Sequence, residues 1–151
     1  MNREHTLPEP SDTVRLGREL AGLLRPGDLV VLVGPLGAGK TALTQGIGAG
    51  LGIGEPVTSP TFVIARVHSG GRVPLVHVDA YRLRSVADVD DLDLDASAEA
   101  SVTVVEWGQG LVEQLAEEHL EVRLERRDDD VRTITLVPHG PGWERRLDGA
   151  Q

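Results

Sequence analysis

The sequence is missing residue types that would each permit a particular chemistry. Cysteine is absent from all 151 residues, which excludes disulfides, thiolate catalysis and cysteine-ligated zinc or iron–sulfur clusters. Long apolar stretches are also absent, because runs such as residues 29–33 are far shorter than a membrane span and residues 1–11 contain no apolar signal core. We therefore expect a soluble, cytoplasmic protein that does not engage a membrane.

Basic residues are outnumbered, with 15 arginines and lysines against 24 acidic residues and a formal net charge of −9. The excess is uneven: residues 1–85 carry nine basic and seven acidic groups, whereas residues 86–151 carry six and seventeen. Proteins grip nucleic acid mainly by neutralising its phosphates with basic side chains. The charge therefore argues against a strong direct nucleic-acid surface and leaves RNA as an indirect partner.

The length fits about one domain, and its apolar runs alternate between strand-like and helix-like patterns. A polar lead-in precedes a helix that Ser11 or Asp12 caps and that Pro26-Gly27 stops. The other predicted elements are a strand over 29–33, a helix over 40–51, a hairpin of 62–68 with 72–79, an acidic segment over 85–100, a strand over 101–105, a helix over 111–119 and a hairpin of 120–126 with 131–137. We expect a single domain over 1–140 and a flexible tail over 141–151.

Residues 34–41 read Gly-Pro-Leu-Gly-Ala-Gly-Lys-Thr and fit the Walker A pattern G-x-x-x-x-G-K-[ST]. The predicted strand before them and helix after them are the context that this pattern requires. Small residues at 37–39 let backbone N–H groups turn towards a β-phosphate at the positive end of the helix. Lys40 would bridge the β- and γ-phosphates, and the Thr41 hydroxyl would bind Mg²⁺. The alternative is a glycine-rich turn that matches by chance.

Lys40 is the single lysine of the chain, whereas arginine occurs fourteen times. A lysine ammonium is a compact point charge and an arginine guanidinium is a planar fork, so the two are not interchangeable at a phosphate. Lysine at this position favours a phosphate-binding role. The guanine-reading motif N-K-x-D of GTPases cannot exist here, because the only asparagine is Asn2 and the only lysine is Lys40. ATP is therefore favoured over GTP.

Two carboxylates follow predicted strands. Asp79 ends the run 73–78 and Glu106 ends the run 101–105. In an α/β nucleotide fold the reactive groups lie at the carboxyl ends of the strands, beside the phosphate loop. Either carboxylate could bind Mg²⁺ directly or through water, and the other could orient or deprotonate the attacking water; the alternative is that both face solvent. The elements together predict an α/β P-loop NTPase three-layer fold, with a mainly parallel central sheet and antiparallel hairpin additions.

Four blocks occur in a fixed order along the chain: Gly-x-Leu-Gly-Ala-Gly-Lys-Thr at 34–41, Val-Thr-Ser-Pro-Thr-Phe at 57–62, His-Val-Asp-Ala-Tyr-Arg-Leu at 77–83 and Val-Glu-Trp at 105–107. This set resembles the TsaE (YjeE) family of small bacterial P-loop ATPases. The first block alone is shared by many families, but the set of four is specific. The lead-in and the last hairpin also match, so the resemblance covers nearly the whole chain. Pro35 departs from the family, which commonly has an acidic residue there.

The resemblance implies a role in forming N6-threonylcarbamoyladenosine at position 37 of tRNAs that read ANN codons. In that pathway a TsaD–TsaB complex transfers the threonylcarbamoyl group to tRNA. A TsaE-type protein binds this complex and hydrolyses ATP, which is needed for turnover rather than for the transfer itself. The implied partners are therefore the TsaD–TsaB complex directly and tRNA indirectly.

The resemblance also implies roles for individual residues. Thr41 and Glu106 would be Mg²⁺ ligands, and Asp79 would be a catalytic residue or a ligand of Mg²⁺-bound water. Residues 59–61 would form a nucleotide-responsive loop. The expected catalytic residues are Lys40, Asp79 and Glu106, the expected metal ligands are Thr41, Asp79 and Glu106, and the expected ATP-binding residues are Ser11, Gly34, Leu36, Gly37, Ala38, Gly39, Lys40, Thr41, Ala42, Thr61, Trp107 and Arg132.

Several of these residues have plainer alternatives. Trp107 could be a core anchor, residues 59–61 a rigid turn, and Tyr81 and Arg82 an exposed surface pair rather than contacts to phosphate or a partner. The five histidines lack the spacing of a zinc site, and His77 is interpreted as structural.

The acidic run 88–95 lacks the glycine and terminal glutamate of a calcium loop, so it is either a solvated face or a docking surface for a partner.

The function also has alternatives from two classes. A small-molecule or nucleotide kinase would need a lid with arginines, and no such cluster follows the core. A nucleotide-gated binding module without essential hydrolysis is the non-enzymatic alternative.

Overall fold

The computed structural model describes residues 3–34, 39–54, 65–79, 100–106, 118–127, 129 and 131–149, with the backbone alone at 65, 66 and 79. The described elements are β1 (Arg3–Leu7), α1 (Pro10–Ala21), β2 (Leu29–Val33), α2 (Lys40–Gly50), β3 (Ala65–His68), β4 (Leu75–Asp79), β5 (Val102–Glu106), β6 (His119–Arg126), β7 (Arg132–His139) and α3 (Pro141–Gly149). None of these helices is long and apolar enough to cross a membrane.

The seven described strands form one sheet in the order β1-β7-β6-β2-β5-β4-β3. Its centre is parallel, because β2 pairs in parallel with both β5 and β6, and β5 pairs in parallel with β4. The margins are antiparallel: β3 pairs with β4 on one side, and β6, β7 and β1 pair in succession on the other. The predicted α/β fold, mainly parallel with antiparallel hairpin additions, is confirmed.

Strand β2 occupies the centre of the sheet because its sequence suits burial on both faces. Leu29 to Leu32 are all buried, and only Val33 at the end of the strand is partly exposed. Its neighbour β5 is buried along its whole length. A continuous apolar run without alternation is typical of a parallel strand that is covered on both sides. Strand β2 therefore lies at the centre of the sheet, and the phosphate-loop sequence begins directly after its last residue.

Helices α1 and α2 pack against each other through glycine. A Cβ added to Gly46 would collide with the carbonyl oxygen of Val14, and one added to Gly17 would lie 2.8 Å from the backbone nitrogen of Ile47. A Cβ on Gly50 would lie 2.5 Å from the Cβ of Ala21. The two backbones approach so closely that no side chain fits between them. This packing fixes α2, and with it Lys40, against the rest of the domain.

The predicted tail was wrong for residues 141–149. They form α3, which packs onto the domain with Trp143 1% exposed and Leu147 similarly buried. Both side chains join the main apolar cluster with residues of α1 and the sheet. Arg146 stacks over the Trp143 ring at 4.5 Å and donates to the backbone oxygen of Leu23. Trp143 and Leu147 are four residues apart and so lie on one face of the helix, and their burial holds a segment whose mostly polar sequence had suggested a tail.

Two smaller expectations were wrong. The N-cap of α1 is Glu9, whose backbone nitrogen donates to Asp12 Oδ2 at 3.0 Å, so neither Ser11 nor Asp12 is the cap residue. The lead-in, to which the sequence analysis assigned no element, contains strand β1, which pairs with β7. His119 starts β6 instead of ending a helix, and the rest of that predicted helix, 111–117, lies outside the described residues.

Candidate nucleotide-binding site

The strand ends place the backbones of the two residues with sequence-predicted carboxylates side by side. Asp79 is paired in register with Glu106 across β4 and β5, and Glu106 is paired with Leu32 across β5 and β2. Gly34 begins the phosphate-loop sequence two residues after Leu32. The ends of three adjacent parallel strands therefore place Asp79, Glu106 and the start of the loop side by side, which is where α/β folds bind ligands.

Glycine is required at both described ends of the loop. A Cβ on Gly34 would lie 2.5 Å from the carbonyl oxygen of Leu124, so β6 closes against the loop with no room for a side chain. Gly39 is the N-cap of α2 with φ 105°, a conformation that L-residues with side chains rarely adopt. Between them, Pro35, Leu36, Gly37 and Ala38 lie outside the described residues.

Lys40 lies across the mouth of this loop. It is the first residue of α2, is 5% exposed, and its Nζ donates to the carbonyl oxygen of Gly34 at 3.0 Å. The bond joins the residue after the loop to the residue that begins it. An ammonium held beside the first turn of α2 combines a full positive charge with the positive end of a helix dipole. This arrangement suits an anion.

The two residues after Lys40 lie in the first turn of α2. The side chain of Thr41 is exposed and Ala42 is partly buried. The Thr41 hydroxyl is a hard oxygen donor of the kind that Mg²⁺ prefers. Its exposure places it at the surface beside the loop.

Glu106 is a buried carboxylate with one strong partner. It is 6% exposed, and its Oε2 lies 2.8 Å from Nε2 of His77, a residue of β4 that is 0% exposed. Among the described residues no hydrogen bond to Oε1 is present, so this oxygen is available for a ligand. Burying a carboxylate is unfavourable unless it is paired or binds a metal. The chemistry of Glu106 together with Thr41 therefore fits Mg²⁺ bound beside phosphates.

Two of the residues predicted to bind ATP, Arg132 and Ser11, lie at different distances from the loop. Arg132 begins β7 and lies beside the loop, since a Cβ on Gly39 would be 4.0 Å from Arg132 Cγ. Ser11 lies in the first turn of α1 with an exposed side chain. Thr13, which the sequence reasoning missed, is nearer to the loop, with its Cγ2 3.6 Å from the same Cβ position. Its Oγ1 is buried without a hydrogen-bond partner in the described structure.

Several of the residues predicted from the sequence lie outside the described part of the chain. Thr61, with the whole loop 59–61, and Trp107 lie outside the described residues, as do Tyr81, Arg82 and the acidic run 88–95. The backbone of Asp79 is placed but its side chain is not. Their roles therefore stay predictions.

The sequence reasoning also underestimated His77. It gave no contact for this side chain, because the contact with Glu106 crosses from β4 to β5 and depends on the register of those two strands. A histidine two residues before a strand-end carboxylate was the available signal. That spacing puts His77 and Asp79 on one face of the strand.

These elements define a class, an α/β protein with a mainly parallel central sheet and a Walker A sequence between its first central strand and the following helix. The family model described as "Threonylcarbamoyl adenosine biosynthesis protein TsaE" matches residues 7–134. The chain therefore belongs to the TsaE family, and the resemblance stated from its motifs is confirmed.

Individual relatives agree with the family assignment. The chain is similar to the tRNA threonylcarbamoyladenosine biosynthesis protein TsaE of Streptomyces coelicolor, with 58% identity over 135 residues that cover 85% of this chain and 91% of the relative. It is 40% identical to the protein of the same name from Bacillus subtilis over 136 residues, 89% and 85% of the two chains. The crystal structure of YdiB from Bacillus subtilis matches with a TM-score of 0.82 and 32% identity, covering 99% of this chain and 94% of that one.

Proposed function

We propose that the protein is an Mg²⁺-dependent ATPase that supports formation of N6-threonylcarbamoyladenosine in tRNA by acting on the TsaD–TsaB complex to allow turnover. Membership of the TsaE family supports the pathway. The single observation that carries the ATPase is that the end of β2 leads to Gly34, which accepts from Lys40 across the loop, while the neighbouring strand β5 ends in the buried carboxylate of Glu106. The proposed location is the cytoplasm, and tRNA is reached through the partner complex.

One group of residues would bind the phosphates, Mg²⁺ and the rest of the nucleotide. The Lys40 ammonium and the first-turn N–H groups of α2 bind the β- and γ-phosphates. The Thr41 hydroxyl and the Glu106 carboxylate are the groups that would hold Mg²⁺. When bound, Mg²⁺ neutralises charge on the phosphate oxygens. Arg132 would contact the remainder of the nucleotide, and its proximity to Gly39 supports this role.

In the reaction a water oxygen bonds to the γ-phosphorus, and the bond from that phosphorus to the β–γ bridging oxygen breaks. The departing group is ADP, and the proton of the attacking water passes to a carboxylate or to the released phosphate. Asp79 is the candidate for orienting this water, because its backbone lies in register beside Glu106. The proposed nucleotide is ATP, since the only asparagine, Asn2, and the only lysine, Lys40, are too far apart in the sequence to form an N-K-x-D guanine site.

The decisive experiment measures phosphate release by the protein alone and with the TsaD–TsaB complex. We expect slow hydrolysis alone, stimulation by the complex and loss of activity in Lys40→Ala. Absence of stimulation, or an active Lys40→Ala protein, would contradict the proposal. Screening the products for phosphorylated small molecules tests the kinase alternative, which predicts transfer in place of free phosphate.

A second experiment separates an ATPase from a nucleotide-gated binding module. Glu106→Gln removes the charge of the carboxylate but keeps an oxygen that can accept from His77. In reconstituted tRNA modification, an ATPase requires turnover and this variant should stall after binding ATP. A pure binding module would continue to support modification at the wild-type level.

A further inference from the structure

His77 is buried for a reason that packing alone does not supply. The imidazole is 0% exposed and lies on β4, the outermost strand of the parallel region, two residues before Asp79. Its Nε2 lies 2.8 Å from Glu106 Oε2, and its Nδ1 is buried with no hydrogen-bond partner among the described residues. An unsatisfied polar atom in a core is unfavourable. A leucine or valine at this position would avoid that loss.

The hydrogen bond to Glu106 favours one tautomer of the His77 ring. A carboxylate accepts hydrogen bonds, so this contact is best made with the ring hydrogen on Nε2, where Nε2–H is the donor. Nδ1 is then left as the bare acceptor. Among the described residues, the imidazole therefore makes its hydrogen bond to Glu106, a residue of the site, and makes none through Nδ1.

The bond to His77 makes the two oxygens of the Glu106 carboxylate different from each other. Oε2 of Glu106 is occupied by His77, whereas Oε1 receives no hydrogen bond among the described residues. Carboxylates that ligate metals are themselves oriented by hydrogen bonds from neighbouring groups, and losing such a partner weakens metal binding. His77 and Glu106 come from adjacent strands in fixed register, so the orientation is built into the sheet.

We propose that His77 is a positioning residue that holds the Glu106 carboxylate by Oε2 and leaves Oε1 as the oxygen that serves Mg²⁺. This inference rests on the proposed function, because it assumes that Glu106 is a ligand of nucleotide-bound Mg²⁺. It assigns His77 no contact with ATP. The expected defect of a His77 variant therefore lies in Mg²⁺ dependence and not in nucleotide binding as such.

The test titrates Mg²⁺ into the protein with a fluorescent ATP analogue and repeats the measurement in EDTA. His77→Asn places its amide too far back to reach Glu106, whereas the longer side chain of His77→Gln puts an N–H near the position of Nε2. We expect His77→Asn to need about tenfold more Mg²⁺ for half-maximal enhancement. Affinity in EDTA should be unchanged, and His77→Gln should recover part of the loss.

His68→Asn is the matched control. His68 is also buried, but it pairs in register with Leu75 at the other end of β4 from Asp79. Its substitution should leave the Mg²⁺ requirement at the wild-type level. Equal shifts in His68→Asn and His77→Asn would overturn the proposal, because they would report a general loss of packing.

The outcomes separate the two levels of inference. A wild-type protein whose nucleotide affinity ignores Mg²⁺ contradicts the proposed function. A wild-type protein that responds to Mg²⁺ alongside an unchanged His77→Asn contradicts only the role of His77.

If His77→Asn does not fold, nitrogen-15 NMR of the wild-type imidazoles replaces it. The proposal expects hydrogen on Nε2 of His77 and a shift of that N–H resonance when Mg²⁺ is added to the ATP-bound protein. Hydrogen on Nδ1, or no response to Mg²⁺, would overturn it.

Discussion

Arg146 Nη1 lies 2.6 Å from Asp28 Oδ2, so the last helix is tied to the residue that precedes the first central strand. Asp28 is buried and also accepts from the backbone nitrogen of Arg25 at 2.6 Å. The arginine closes a network around the end of α1, because it also donates to the backbone oxygen of Leu23. Through these bonds α3 stabilises the end of the sheet opposite to the phosphate loop; we call this its bracing role.

Removing that arginine should destabilise the domain. Arg146→Ala leaves the buried Asp28 carboxylate without its cation and strips the stacking contact from Trp143, so we expect a loss of about 2 kcal/mol in the free energy of unfolding. Urea denaturation measures it. Arg145→Ala, the neighbouring exposed residue of α3, should lie within about 0.5 kcal/mol of wild type. Equal effects at the two positions would contradict the bracing role.

Gly46→Ala should be destabilising even though alanine is the better helix former by about 1 kcal/mol. The added Cβ meets the Val14 carbonyl, with its carbon 2.9 Å away, and α1 and α2 must separate to admit it. Overpacking of this kind typically destabilises by about 1–3 kcal/mol. Thermal or urea unfolding measures the change. The control is Gly149→Ala in α3, where no atom lies within 4 Å and no loss is expected.

Glu121 makes the fold sensitive to acid. Burial of this carboxyl raises its pKa, but the hydrogen bonds and charges of Arg123 and His139 outweigh that effect and leave the pKa below its ordinary value of 4.5. A pKa that is depressed in the folded state contributes stability above the unfolded value, and this contribution disappears as the pH falls from 4.5 through the folded pKa.

Substitution of Glu121 should therefore flatten the pH dependence of stability. Glu121→Gln is expected to lose less free energy of unfolding than wild type as the pH drops below 4.5, measured by urea titrations at successive pH values. Glu125→Gln changes an exposed residue of the same strand and should keep the wild-type slope. A slope unchanged by Glu121→Gln would remove this carboxylate from the acid response.

Lys40→Arg tests whether the single lysine is there for its shape. Lys40 Nζ donates to the Gly34 oxygen from a buried position, and a planar guanidinium cannot occupy the same space as a compact ammonium. We expect ATP affinity to fall about tenfold or more, equivalent to about 1.4 kcal/mol, in calorimetric titration. The reverse exchange Arg132→Lys, also beside the loop, should weaken binding less. The opposite order would argue against the phosphate role of Lys40.

The central strands and the loop could be predicted because their information is local. The five apolar residues of β2 and the Gly-Lys step into α2 each carry a signal within a few positions, and both elements start where predicted. Strand order is different. Nothing in β2 itself indicates that β5 and β6 flank it, and that order decides which strand ends meet.

The elements that the pattern missed depend on partners far along the chain. The sequence of α3 is mostly polar, and it is fixed by Trp143 and Leu147 reaching a core formed by earlier residues. Strand β1 exists because β7 offers it an edge. His77 and Thr13 were missed in the site for the same reason, since each gains its neighbour from another element.

The order β5-β2-β6 also has a consequence for assembly. Val30 of β2 pairs with Val104 on one side and with Leu120 on the other, so both walls of the site come from much later in the chain. A fragment that ends after α2 carries the whole Walker A sequence but neither neighbouring strand. Contacts this distant in sequence form only with global folding. Nucleotide should therefore protect the complete domain against unfolding as one cooperative unit, and proteolysis between α2 and β5 should abolish binding while leaving the motif intact.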